Sequence, residues 1–272
     1  MFSICIATLN NDMFLDRCLE SIRLTQKHNN QIVIYDNNSQ DKTGIVVDHH
    51  REHLDIDFRK GRNISQYHAL DDCYSRAKYD YLFRIHTDMF LVVPHWEKYF
   101  ERAIKKAVHP WQWLMCARSI EPVQGHTGHH VIMDYGRTLD DLKLDDMRQE
   151  FREWKDNSIH TGYREPFLMH KKLYEQFDKD AMLKYKAYCG DDHTVMQAYH
   201  LGVRRFWMVN GVLAYHMVGD KGGQTNTSKD SQDKDQNWPY EFFVEYWKKH
   251  GYPDAHHPGQ WHPKLIPEYI NV

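Results

Sequence analysis

The residues best placed to do chemistry lie in Tyr81 to Phe90, YLFRIHTDMF, where an apolar run leads straight into His86-Thr87-Asp88 and then turns apolar again. Flanked this way, the Asp88 carboxylate is buried, and an unpaired buried carboxylate is costly, so a cation or hydrogen-bond donors must meet it. A divalent metal is the economical solution, and an Asp capping the following turn is the plain alternative. A second acidic feature is Gly190-Asp191-Asp192 at the head of an expected helix, where backbone N–H groups favour negative charge. Adjacent carboxylates push their pKa values apart, which suits one of them to general-base work, the alternative being an N-cap pair. Arg62 and Asn63, in GRNIS, open another helix and could approach a ribose or phosphates, although a solvated helix start also explains them. The stretch Gly219 to Asn237 has no apolar residue. It reads as a mobile loop whose Lys221, glycines and hydroxyls suit a diphosphate, or as a linker.

Composition narrows what such groups can serve. The chain has 272 residues, enough for one large domain, with 35 basic and 38 acidic residues that form no basic block. Nucleic acid is therefore not an expected partner. No stretch approaches the ~20 apolar residues of a membrane span. The N-terminus, MFSICIATLN, lacks the basic region and cleavage site of a signal peptide. Five widely spaced cysteines without a CxxC indicate neither a disulfide framework nor a zinc cluster, so a cytoplasmic setting is expected.

The elements that must position these groups alternate. SICIAT (Ser3 to Thr8) is a strand ending in the polar cluster Leu9-Asn10-Asn11-Asp12, whose side chains can cap a helix. Phe14, Leu15, Cys18, Leu19 and Ile22 then share one helical face. QIVIYD (Gln31 to Asp36) is a second strand, followed by a helix near 43–53, a strand at 56–59, a helix at 65–77 and a strand at 81–85. Alternation of this kind predicts an α/β fold with a mostly parallel sheet covered by helices on both faces. Ligands collect at the carboxyl ends of such strands, so the residues after Thr8, Asp36 and Ile85 should line one crevice. Further on, the pattern predicts a helix from Pro94 to about Ala107, strands at 113–118, 165–170, 205–209 and 212–216, helices at 171–177 and 192–201, and a final amphipathic helix near 240–250.

Taken in order, SICIATLN, QIVIYDNNSQDKT, IHTD, FLMHKKLYEQF and YCGDDHTVMQAYHLGVRRFWMVNGVLAYHMVG resemble the successive elements of glycosyltransferase family 2 over about residues 2–105 and 165–220. The resemblance implies the GT-A fold, with a nucleotide-sugar-binding half (1–105), an acceptor half (106–218) carrying a smaller sheet, and a loop and C-terminal helix (219–272). It also implies an inverting enzyme that moves a sugar from a nucleotide-diphosphate sugar, UDP favoured, to the hydroxyl of a glycan or other acceptor. Thr8, Asp36, Asn37 and Ser39 would meet the nucleoside, since a strand-end carboxylate can accept a base imide N–H. A purely local cap is the other role open to Asp36. His86-Thr87-Asp88 stands where the family has D-x-D, with His in place of the first Asp. Asp88 is then the metal ligand, His216 completes the site, and His86 is a further ligand or a ribose contact. Imidazole ligation favours Mn2+ over Mg2+. Of the acidic pair, Asp192 is the preferred base, with Asp191 holding acceptor or base in place. Two other readings share parts of this pattern. A nucleotidylyltransferase would show a Gly-rich loop after the first strand, where this chain has Leu9-Asn10-Asn11-Asp12. A catalytically silent nucleotide-sugar or glycan-binding protein would fit the altered HTD. No GxGxxG follows a strand, which disfavours a dinucleotide oxidoreductase.

Overall fold

The apolar runs form β1 (Ser3–Thr8), β2 (Gln31–Asp36) and β4 (Tyr81–Arg84), and the largely charged DIDFRK forms the edge strand β3 (Asp55–Lys60), all parallel in the order β3-β2-β1-β4. The computed structural model describes residues 1–122, 131–185, 190–217, 237–252 and 269–271. Helices α1 (Asp12–Thr25), α2 (Thr43–His50) and α3 (Gln66–Arg76) connect these strands. Alternate strand residues point to opposite faces, which splits the core in two. Ile4, Ile6, Ile32 and Ile34 pack with Leu15, Leu19 and Ile22 of α1, whereas Cys5, Val33 and Tyr35 pack with Ala69, Leu70 and Cys73 of α3.

The chain continues through β5 (Met89–Leu91), α4 (Glu97–Lys106), β6 (Leu114–Glu121), β7 (Val131–Ile132), α5 (Leu144–Glu150), β8 (Ser158–Thr161), β9 (Phe167–His170), α6 (Lys171–Tyr174), α7 (Lys179–Met182), α8 (Gly190–His200), β10 (Phe206–His216), α9 (Asn237–Lys249) and β11 (Tyr269–Asn271). The acceptor-side strands are hydrogen-bonded into the same sheet, β11-β8-β10-β6-β9-β4-β1-β2-β3, with β5 added against β10 and β7 against β6. β9 runs antiparallel to both β4 and β6, and β10 runs parallel to β6. The carboxyl ends of β1, β2, β4, β6 and β10 therefore share one edge. The strand order reverses beside β1, and such a switch point opens a crevice at that edge.

The two strands expected at 205–209 and 212–216 are one strand, β10, whose register to β6 shifts between Val209 and Leu213. A Cβ on Gly211 within that bulge would come within 2.0 Å of the Tyr99 ring, so a residue without a side chain lets α4 close on the sheet. The helix expected at 171–177 is shorter and is followed by α7, capped by Asp178, whose side chain accepts from the Ala181 amide. Asn11 stands at the N-cap of α1 without a side-chain cap bond. The Asp12 side chain instead accepts from the amides of Met13 and Lys42. The loop expected over 219–237, including Lys221, lies outside the described residues apart from its last position.

The final helix packs on α8 through His193, which is fully buried. Trp247 Nε1–H donates to His193 Nδ1 at 3.1 Å, and Tyr185 Oη lies 3.0 Å from the same nitrogen. The indole can only donate, so the imidazole proton sits on Nε2 and a second proton on Nδ1 would displace the tryptophan. Burial accordingly pulls the His193 pKa down from 6.5 to about 3. With the folded value below the unfolded one, the unfolded chain binds the extra proton across that interval, and stability falls as pH falls. Wild-type protein is expected to lose about 2 kcal/mol through this residue between pH ~6.5 and pH ~5. His193→Leu should show a shallower acid dependence in urea titrations at the two pH values.

Candidate active site

Thr8 and Asp36 are opposite one another at the ends of β1 and β2. The two turns that follow are stitched together: the Asn10 amide donates to Ser39 Oγ, and the Gln40 amide to Asn10 Oδ1, each at 2.8 Å. Asn10 and Asn38 hold these turns with positive φ, 49° and 69°, a conformation asparagine tolerates better than most residues. Asn37 Oδ1 accepts the Ile64 amide at 3.1 Å, which ties the β3–α3 connection, with exposed Arg62 and Asn63, to the end of β2. Asp36 Oδ1 accepts the Ser39 amide at 2.8 Å. Asp36 Oδ2 and Thr8 Oγ1 are buried without a hydrogen-bond partner among the described residues. Buried polar atoms are rarely left this way, and these two stand on neighbouring strand ends.

The second half of the edge is set by β10. His216 pairs with Met89 of β5, which puts its side chain next to Asp88, and Tyr215 pairs with Ile120 of β6, which puts it next to Glu121. His216 Nδ1 lies 3.0 Å from Glu121 Oε1, and His216 Nε2 lies 3.8 Å from Asp88 Oδ2. Asp88 Oδ1 is buried and unpartnered. Among the described residues no group of three or more His, Cys, Asp or Glu is gathered as a metal cage. The pair Asp88 and His216 nevertheless suits an ion that takes one or two protein ligands and fills its shell with phosphate oxygens and water.

His86 has other partners. Its Nε2 is ion-paired with Glu165 and lies 3.1 Å from Gln66 Nε2 and 3.2 Å from Arg84 Nη2. Burial lowers the His86 pKa, but the Glu165 charge and hydrogen bond outweigh it and the net shift is upward. Thr87, between the two, is buried.

The acidic pair on α8 is divided by its surroundings. Asp191 Oδ1 accepts from Tyr67 Oη at 2.6 Å and pairs with Arg84 Nη1 at 2.9 Å. Burial raises the Asp191 pKa, and Arg84, His86 and the tyrosine hydroxyl outweigh that to hold it below the usual carboxylate range. Asp192 is instead near Tyr163, whose phenol is pushed up by burial and then by the Asp192 charge. Gly190 makes the arrangement possible, because a Cβ there would come within 1.9 Å of the Tyr67 ring. Arg84 is the hinge of the network: 1% exposed, it also meets Glu165 Oε1 at 2.8 Å, a close charge contact without hydrogen-bond alignment. It joins the segment that carries Asp88 to the helix that carries Asp191.

Arg84, Glu165, Tyr67 and Glu121 are site residues that local sequence patterns do not flag, although a charged residue inside the apolar run YLFRI is a visible signal. Arg84→Met leaves Asp191 without its cation and Glu165 with His86 alone. Removing one partner of a buried pair costs ~3–5 kcal/mol, and the half-exposed Asp191 places the expected loss near 3 kcal/mol in urea denaturation.

The sequence model of glycosyl transferase family 2 matches residues 3–177. The chain belongs to that family. No curated protein sequence matches it. Among solved structures, this glycosyltransferase is similar to Staphylococcus aureus TarS 1–349, with a TM-score of 0.54 and 13% identity over 92% of this chain and 74% of that one. It is similar to the mannosyltransferase PcManGT from Pyrobaculum calidifontis, solved with GDP-Man and Mn2+, with a TM-score of 0.58 and 14% identity over 95% and 68%. It also resembles GalNAc-T7, solved with UDP, GalNAc and Mn2+, at 0.59 and 12% identity over 92% of this chain and 51% of that one. At these identities the likeness establishes the GT-A fold. No helix among the described residues is long and apolar enough to cross a membrane.

Proposed function

We propose that this glycosyltransferase transfers a sugar from a UDP-sugar to an acceptor hydroxyl on a glycan or other molecule by a metal-dependent single displacement with inversion. The observation that carries the reading is the row of buried, unpartnered acceptors along one sheet edge: Thr8 Oγ1, Asp36 Oδ2 and Asp88 Oδ1. Asp36 Oδ2 accepts the imide N–H of uracil, with Asn37, Ser39, Arg62 and Asn63 around the nucleoside. Uracil nucleotides bound by TarS and GalNAc-T7 support that choice of base. Asp88 and His216 hold a divalent ion, Mn2+ in preference to Mg2+, in keeping with the Mn2+ of PcManGT and GalNAc-T7. Such an ion, when bound, neutralises charge on the departing diphosphate. His86, kept by Glu165, is a donor towards ribose or phosphate rather than a ligand, since its Nε2 is already committed. Lys221 is a further diphosphate contact in this reading.

Asp192 takes the proton from the acceptor hydroxyl, because Asp191 is committed to Arg84 and Tyr67 and its lowered pKa makes it the poorer base. Residues 1–218 form the catalytic unit, and the cysteine usage points to the cytoplasm. The test is a donor screen that measures released nucleoside diphosphate from UDP-, GDP- and dTDP-sugars with and without Mn2+. Release from a UDP-sugar that needs Mn2+ is the expected result. Tight UDP-sugar binding with no turnover across a panel of acceptors would instead make this a silent binding protein.

A further inference from the structure

Glu121 has no assigned part in transfer, yet it is as deeply buried as Asp36. It ends β6 at 1% exposure, and its Oε1 receives two donors, Arg164 Nη2 at 2.9 Å and His216 Nδ1 at 3.0 Å. The arrangement is set by backbone register. β6 and β10 are parallel neighbours aligned at Ile120 and Tyr215, while β5 meets β10 at Met89 and His216. Glu121, His216 and Asp88 consequently stand side by side on three adjacent strand ends.

The contacts of Glu121 fix the proton on one ring nitrogen of His216. Arg164 keeps the buried carboxylate charged, so Glu121 can only accept, and His216 Nδ1 must donate to it. In the neutral ring Nε2 then presents a lone pair towards Asp88 Oδ2, 3.8 Å away. Two acceptors facing each other at that distance repel unless a proton or a metal cation lies between them, and a metal there takes both as ligands. We propose that Glu121, held by Arg164, is a positioning residue that fixes His216 in the Nδ1–H tautomer and so offers Nε2 to the metal. The proposal rests on the reading of Asp88 and His216 as metal ligands. Carboxylates that orient a ligating histidine in this way typically contribute 10- to 100-fold in metal affinity.

Two measurements test it. Long-range proton–nitrogen NMR of metal-free protein in mildly alkaline buffer is expected to show the His216 proton on Nδ1 in the wild type, and a shift of population towards Nε2–H in Glu121→Leu. Electron paramagnetic resonance of free Mn2+ in the presence of UDP then reads metal affinity. Glu121→Leu is expected to bind Mn2+ at least ~10-fold more weakly than wild type. Glu121→Gln, which keeps an accepting oxygen without the charge, should fall between, and it stands in if the leucine variant does not fold. Uridine binding in EDTA reports an intact nucleoside pocket and should be equal in all variants. Wild-type Mn2+ affinity in both Glu121 variants, with His216→Ala weakened, overturns the positioning role and leaves the metal site standing. Wild-type affinity in both Asp88→Ala and His216→Ala removes the metal site, and the proposal with it.

Discussion

Asp88→Asn is expected to lower turnover by about 10²- to 10³-fold while leaving the folded protein as stable as the wild type or more so. The two effects share one cause. Asp88 carries a buried oxygen with no partner among the described residues and a second oxygen facing His216 Nε2. Without a bound cation, and with the imidazole neutral as in mildly alkaline buffer, that arrangement costs stability, and an amide in its place removes the charge and can donate to His216 Nε2. The same change removes the charge that binds the ion opposite the leaving diphosphate. Thermal melts in EDTA together with product formation at saturating Mn2+ check both halves. A loss of activity that only follows a loss of folded protein would assign Asp88 to structure instead.

Asp192→Asn is expected to reduce kcat by about 10²- to 10⁴-fold with little change in the KM for the donor, as removal of a general base does. Asp191→Asn should behave differently, because Asp191 is tied to Arg84 and Tyr67 and its loss loosens α8 against β4. Its signature is a lower melting temperature with a smaller loss of kcat in the protein that remains folded. Steady-state kinetics and melts on both variants separate the roles. If Asp191→Asn lost kcat to the larger extent at unchanged stability, the two assignments would exchange.

The parallel half of the fold was legible because β1, β2 and β4 are short apolar runs followed by polar clusters, and α1 shows one apolar face. As candidates, Asp36 and His216 were legible for the same reason, since each ends such a run, and Asp88 because it interrupts one. Edge pieces were not. β5 is three residues that read as a continuation of HTD, and β8, Ser158–Thr161, is a brief strand whose place depends on β10 and β11. The bulge at Asn210-Gly211 looked like a break because a glycine in a strand resembles a turn until the facing Tyr99 ring is known. The deepest gap concerned partners. Glu121 meets His216 across 95 positions and Tyr67 meets Asp191 across 124, separations that no local periodicity encodes. For His86, the residue type was visible but its ion-pair partner Glu165 was not.

The most direct test is a crystal structure with UDP and Mn2+ recorded at the manganese absorption edge. The expected result is one anomalous peak between the Asp88 carboxylate and His216 Nε2, in contact with the diphosphate, and uracil N3–H directed at Asp36 Oδ2. Nucleotide bound elsewhere, or bound along this edge with no manganese within ligand distance of Asp88, would contradict it.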